Sequence, residues 1–213
     1  MAVEFIEGFL WTFSVVVFVI GVSYRLFSIL RLGVKADLSV PRAGGTGGAI
    51  RTLFGRFVPK REFVQQAMFI VVAGYAFHVG LFVLTFFAEP HVVFIENRIL
   101  GFGWTPVPYW AFMLSAILAL AGIVVLWMRR LLDPVRRKIS TIDDHITAIL
   151  IIVVILTGFM AMQQTYDVPR VIHLLSVEFL LIYFPFSRLM HTFTFVFSRC
   201  YTGASYARRG VKA

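Results

Sequence analysis

Five long apolar runs limit what this chain can fold into more than any other feature of its sequence. They cover about residues 5–30, 63–88, 107–128, 142–162 and 171–197. A helix needs roughly 20 residues to cross the hydrocarbon core of a bilayer, and each run is long enough, or nearly long enough, to do so. Since 59% of the residues are hydrophobic and 15% are charged, we predict an all-α membrane protein with five transmembrane helices. These helices use almost the whole chain, so we expect a single domain, residues 1–213.

The basic residues alternate from one connector to the next and predict the orientation. Eight Lys and Arg lie at the end of the first run and in the connector 31–62, five follow the third run, and four lie in the tail 198–213. The other two connectors hold one each, Arg98 and Arg170. The positive-inside rule then places the N-terminus outside and the C-terminus in the cytoplasm, in the inner membrane. We attribute the net charge of +9 to this bias and to anionic lipid, not to nucleic-acid binding.

The first basic connector carries two local patterns. Its glycine-rich stretch, residues 44–48, lacks the Gly-Lys-Ser/Thr ending of a phosphate loop and is predicted to be a flexible hinge. Apolar residues then recur at helical spacing among basic ones; they are Ile50, Leu53, Phe54, Phe57 and Val58. This pattern predicts a short helix that lies either at the membrane surface or under a cytoplasmic partner, and the sequence leaves both open.

The last apolar run carries a histidine near each end, His173 and His191. If the run is one straight helix, eighteen residues make five turns, so both imidazoles lie on one face, roughly 27 Å apart along the axis. Two such histidines at two depths are an arrangement for holding two metal centres. Because Cys200 is the only cysteine, a haem here is not attached through a Cys-x-x-Cys-His motif. We therefore predict a membrane cytochrome b with two non-covalent haems b.

The second run supplies the partner histidines. His78 lies deep within it, where an imidazole without a partner costs free energy, and His91 lies at its outer end. Matching depths pair His91 with His173 on the outside and His78 with His191 on the inside. Bis-histidine ligation closes the iron to substrate and favours electron transfer. His91 is turned about 140° from His78 on a straight helix, so we expect Pro90 to kink or end the helix and re-aim it.

Simpler interpretations of these histidines remain open. Each could only hydrogen-bond a neighbouring helix, and His145, beside Asp143 and Asp144, is predicted to belong to a polar helix N-terminus. If His91 is not a ligand, the chain is an anchor with one haem. It could also be a haem-free anchor or a small transporter with structural histidines, although no inverted repeat is visible. The sequence has no catalytic nucleophile constellation, so we do not expect a complete enzyme.

The segment from His173 through Phe184-Pro185-Phe186-Ser187-Arg188-Leu189-Met190-His191 resembles the last helix of the gamma subunit of respiratory nitrate reductase, a membrane di-haem cytochrome b. Phe77-His78-Val79-Gly80 resembles the first haem ligand of that family. Its second ligand would fall at Ala88, which cannot bind iron. The spacing to His91 instead resembles the cytochrome b subunits of heterodisulfide-reductase-like and sulfite-reduction-associated membrane complexes.

This resemblance implies electron exchange between a quinone pool and a cytoplasmic iron–sulfur subunit of a respiratory complex. Quinone would be handled near the outer haem, and electrons would pass between the inner haem and the partner. Arg188, three residues before His191, is expected to bind a haem propionate or to extend toward the cytoplasm. Glu178 is expected either to transfer protons to quinone or to make an interhelical hydrogen bond, as are Gln163, Gln164, Tyr166 and Asp167 at the outer mouth.

Overall fold

A computed structural model describes residues 2–33, 40–162 and 167–211. Helices dominate these segments, and no strand occurs in them. The α-helices are α1 Ala2–Phe5, α2 Trp11–Leu32, α3 Gly45–Gly55, α4 Arg61–Phe87, α5 Glu89–Ile95, α6 Tyr109–Leu132, α7 Pro134–Ile139, α8 Ile142–Ala161, α9 Asp167–Tyr183 and α10 His191–Arg208. Two π-helical segments, Ile6–Leu10 and Glu96–Leu100, and two 3₁₀ turns, Phe184–Phe186 and Arg188–Met190, lie between them.

Five helical segments in the described ranges are long and apolar enough to cross a membrane. They are Ile6–Leu32, Ala67–Phe87, Tyr109–Leu132, Ile142–Ala161 and Val168–Phe186. The prediction of an all-helical chain with five candidate spans is therefore confirmed, and the first four agree with the predicted ranges to within a few residues. The orientation of the termini and the assignment of a single domain stay predictions.

The fifth predicted span is wrong in one important respect, because residues 171–197 do not form one helix. Helix α9 ends at Tyr183, and the backbone is extended at Ser187, with φ −106° and ψ 174°. Pro185 lacks the N–H that a helix interior requires, and its ring clashes with the carbonyl of the preceding turn. Ser187 then accepts a hydrogen bond from the Leu189 N–H and starts the next helical segment. His173 and His191 therefore do not share one straight helix face, and that prediction is wrong.

The chain divides into two compact units. The first contains Met1–Gly8 and Ala67–Leu180, and the second contains Phe9–Gln66 and Leu181–Ala213. In the first unit, α4 and α6 approach closely through small residues. A Cβ on Gly80 would lie 2.6 Å from the Ser115 carbonyl oxygen, and one on Gly122 would lie 2.6 Å from that of Ala73. Small residues let membrane helices pack backbone to backbone, and this contact fixes the helix that carries His78.

In the second unit, α3 packs on α10 through glycine. A Cβ on Gly48 would lie 2.4 Å from the Gly203 carbonyl oxygen, so neither helix leaves room for a side chain there. The predicted short helix in the first connector is thus confirmed. The predicted hinge is wrong, because Gly45, Gly47 and Gly48 lie within the first turns of α3. Their missing side chains serve close helix packing instead of flexibility.

Candidate functional site

The structure brings two of the predicted ligands together in the first unit. The ring centres of His91 and His173 lie 6.2 Å apart, and the ring planes differ by 17°. Two imidazoles that bind one metal from opposite sides have centres separated by twice a metal–nitrogen bond of about 2.0–2.1 Å plus twice a nitrogen-to-centre distance of about 1.1 Å, or about 6.3 Å. The observed separation matches this value, so the pair fits a group whose metal takes two axial imidazoles.

A break in the second span positions His91. Helix α4 ends at Phe87, Ala88 is extended with ψ 133°, and Pro90 lies in the first turn of α5. Proline is well suited to a first turn because the missing N–H would have no intrahelical partner there. His91 therefore lies on a new helix, as expected from Pro90, and the 140° rotation calculated for a straight helix does not apply.

Second partners orient both rings of this outer pair. The Nδ1–H of His91 donates to the Leu84 carbonyl oxygen over 2.7 Å. The Nδ1 of His173 lies 3.2 Å from the Thr157 hydroxyl, which itself donates to the Val153 carbonyl and so can accept from His173. With the proton on Nδ1, the Nε2 atom of each ring keeps the lone pair that binds a metal. Such outer hydrogen bonds are typical of metal-binding histidines.

Gly158 makes room for the His173 ring. A Cβ at this position would lie 2.9 Å from Cε1 and 3.4 Å from Nε2 of the imidazole. The ring thus packs directly on the backbone of α8, one residue beyond Thr157. Sequence reasoning missed both residues. A glycine among branched apolar residues in a span was the available signal, since it often marks a close approach.

The N-terminal segment secures the start of the helix that carries His173. The Arg170 guanidinium, one turn before His173 on α9, donates to the Glu7 carboxylate and forms an ion pair with it. Both residues belong to the first unit. This link restrains the end of α9 next to the outer pair. The nearby candidates Gln163, Gln164 and Tyr166, and the side chain of Asp167, lie outside the described residues.

The other two predicted ligands, His78 and His191, have the same tautomer as His91. The Nδ1–H of His78 donates to the Gly74 carbonyl oxygen over 2.7 Å, and that of His191 donates to the Arg188 carbonyl oxygen, also over 2.7 Å. Each ring thus carries its proton on Nδ1, which is the tautomer of a histidine that binds a metal through Nε2. Since His78 belongs to the first unit and His191 and Arg188 to the second, the inner pair stays a prediction.

His145 differs from the four predicted ligands in its hydrogen bond. Its Nδ1 accepts from the Trp127 indole N–H over 3.2 Å, so the proton of this ring lies on Nε2. The preceding residue, Asp144, is paired with Arg130 over 3.3 Å and completes a capping box with Thr141. The prediction that His145 belongs to a polar helix N-terminus is confirmed.

Glu178 is the most deeply buried charged side chain of the candidate site. It is 2% exposed, and neither carboxylate oxygen has a hydrogen-bond partner among the described residues. The expected interhelical hydrogen bond is therefore not found within that part of the chain. An unpaired buried carboxyl group costs free energy, so a functional reason for keeping it is favoured.

Two relatives resemble this chain over most of its length. A protein of Nitratidesulfovibrio vulgaris, whose name states no function, is 29% identical over 200 residues, which cover 92% of this chain and 85% of that protein. The Hdr-like menaquinol oxidoreductase cytochrome b-like subunit of Archaeoglobus fulgidus is 23% identical over 84% of this chain and 73% of that subunit. No family model and no solved structure matches. The chain is thus a multi-pass membrane protein and a distant relative of a cytochrome b-like subunit.

Proposed function

We propose that this chain is a di-haem cytochrome b subunit that carries electrons between the quinone pool and a cytoplasmic iron–sulfur oxidoreductase partner. The observation that carries the proposal is the outer pair, His91 and His173, with ring centres 6.2 Å apart. When bound there, haem b would supply reversible one-electron transfer. The name of the Archaeoglobus relative supports the link to menaquinol. The resemblance to the nitrate reductase gamma subunit supports the proposal of two haems, but it does not imply that nitrate is the substrate of the complex.

Each candidate residue is proposed to have a separate role in binding the two haems or the partner. His91 and His173 would hold the outer haem, with Thr157 and Leu84 fixing their tautomers, while His78 and His191 would hold the inner one. Arg188 is proposed to bind a propionate of the inner haem, since a guanidinium and a carboxylate form two parallel hydrogen bonds. The basic connectors and tail would face the cytoplasm and the iron–sulfur partner, and the chain would lie in the inner membrane.

Glu178 is proposed to take up a proton when quinol is oxidised near the outer haem. It lies five residues beyond His173 on α9, about 7.5 Å further along the helix axis. Quinol releases protons as well as electrons. A buried carboxyl group without a partner among the described residues favours its protonated form, so Glu178 would pass its own proton on and take up one that quinol releases. The quinol would then bind on the side of the membrane where His91 and His173 lie.

The proposal is tested on the purified full chain with its natural partners. A pyridine haemochrome assay should find two haems b per chain, and a menaquinol analogue should reduce them. The Glu178→Gln variant should keep both haems and be reduced more slowly, because the amide cannot take up the proton. An anchor with one haem would give one per chain, and a haem-free anchor or transporter would give none. Either result would overturn the di-haem assignment.

A methyl group at position 158 is expected to weaken the outer haem site selectively. In Gly158→Ala the new Cβ would lie 2.9 Å from the His173 ring, so the imidazole must move by some tenths of an ångström. We expect a roughly 10- to 100-fold loss of outer haem affinity, as is typical when the support of a metal ligand is disturbed. Haem titration of the apoprotein measures this effect. Gly74→Ala is the matched control, since its methyl would meet no atom within 4 Å, and equal affinity in both variants would contradict the expectation.

A further inference from the structure

Helix α3, Gly45–Gly55, has two opposite faces in the second unit. One face is covered by α10: Thr52 is 4% exposed, and a Cβ on Gly203 of α10 would lie 2.5 Å from the Thr52 hydroxyl oxygen. Gly48, one turn earlier, lies on the same face. This face is therefore fully used by packing within the chain.

The other face of α3 is apolar and exposed. Ile50 and Phe54, one turn apart, are 56% and 65% exposed. Each follows a residue of the covered face by two positions, which is a rotation of about 200° around the helix axis. Arg51 is exposed at one border of this face, and Arg56 is exposed directly after the last residue of α3. Exposed large apolar side chains with basic neighbours are the pattern of a helix that lies in a membrane surface.

Contacts with α10 prevent α3 from turning this apolar face inward. Arg199 of α10 donates to the Leu53 carbonyl oxygen over 3.1 Å. Its guanidinium carbon also lies 4.5 Å from the ring centre of Phe57 and 5.1 Å from that of Phe195. Together with the glycine contact, these interactions fix the rotation of α3 about its own axis. Ile50 and Phe54 therefore stay on the side of α3 that α10 does not cover.

The connections of α3 lead into the bilayer at both ends. Residues 33–44 join it to the span that ends at Leu32, and residues 56–66 join it to the span that begins at Ala67. Both connections are short, so α3 is held close to the membrane. The basic residues beside it, which include Arg42, Lys60 and Arg61, complement the negative charge of anionic lipid headgroups.

We propose that α3 is an interfacial helix that inserts Ile50 and Phe54 into a bilayer leaflet and places Arg51 and Arg56 among anionic headgroups. α10 then covers the side of α3 that faces away from the lipid. The occupant of the apolar face is lipid, not a soluble protein subunit. This assignment does not depend on the haems.

Spin labels on the full chain in lipid nanodiscs test this proposal. Cys200→Ser removes the only cysteine, and labels are placed at Ile50→Cys, Phe54→Cys and Tyr201→Cys. Tyr201 precedes Gly203 by two positions and therefore lies on the side of α10 that faces away from α3. In nanodiscs with phosphatidylglycerol, power saturation should show labels 50 and 54 relaxed by oxygen and shielded from a water-soluble nickel chelate. Their depth should be about 5–10 Å. The label at 201 should show the reverse.

Three results would overturn the proposal. Labels 50 and 54 could be as accessible to nickel as label 201, which would mean that the face is in water. They could be shielded from both reagents in the native complex, which would mean that a protein covers them. They could also insert equally in purely zwitterionic nanodiscs, which would exclude the role of anionic headgroups. A second measurement needs no label: brominated lipid should quench the fluorescence that Phe54→Trp adds to that of the four native tryptophans, and this added signal should be strongly quenched if the proposal holds.

Discussion

The His173→Ala variant is expected to hold one haem per chain in place of two. Its imidazole is one of the two that would hold the outer haem, and the remaining ring, His91, cannot hold a six-coordinate low-spin iron alone. His91→Ala should therefore lose the same haem, and the double variant should lose no more than either single one. This non-additivity follows because both side chains serve one group. The measurements are the pyridine haemochrome content and the optical redox titration of each variant.

His145→Ala is the matched control for this experiment. His145 accepts from Trp127 at Nδ1, whereas His91 donates from that atom. The control should keep both haems and lose only some stability through the broken indole hydrogen bond, about 0.5–1.5 kcal/mol. If the control lost a haem, or if the His91 and His173 variants lost different ones, the assignment of the outer pair would be wrong.

His78→Ala and His191→Ala are expected to remove the other haem and stop electron delivery to the cytoplasmic partner. The quinol analogue should still reduce the haem that remains, since His91 and His173 are unchanged. Turnover with the soluble partner should fall to background, because no carrier would be left at the inner depth. Stopped-flow reduction, followed by partner-linked turnover, separates these two steps.

The inner pair, His78 and His191, has less structural support than the outer pair. His191 begins a new helix after the break at Pro185 and Ser187, so its pairing with His78 no longer follows from a shared helix face with His173. What supports it is the common tautomer of the two rings and the resemblance of both segments to the ligand-bearing helices of the nitrate reductase gamma subunit. Loss of different haems in the two variants would refute the pairing while leaving the outer haem intact.

The sequence predicted the helical class and the five spans because apolar length alone determines them. It failed within the last run, where composition stays apolar although Pro185 interrupts the helix. Pro185 was the available signal for a break, whereas the eighteen-residue spacing of His173 and His191 favours one continuous helix. Pro90 was interpreted correctly, since the mismatch in angle between His78 and His91 already demanded a break there.

The supporting contacts of the site could not be predicted from the sequence. Thr157 and Gly158 support His173 from another helix, and such a contact depends on how α8 and α9 pack. For the same reason the glycine stretch before Ile50 has the sequence pattern of a hinge, because its packing partner Gly203 lies far away in the chain. Local patterns identify which residues can bind a metal or approach closely, while the partners are determined by tertiary packing.

The central claim is most directly tested by electron cryo-microscopy of the complex in lipid nanodiscs. We predict planar, iron-containing density between His91 and His173, next to the Nε2 atom of each ring. Thr157 and the Leu84 carbonyl should remain the partners of their Nδ1 atoms. Imidazoles in direct contact with each other, without a planar group between them, would contradict the account.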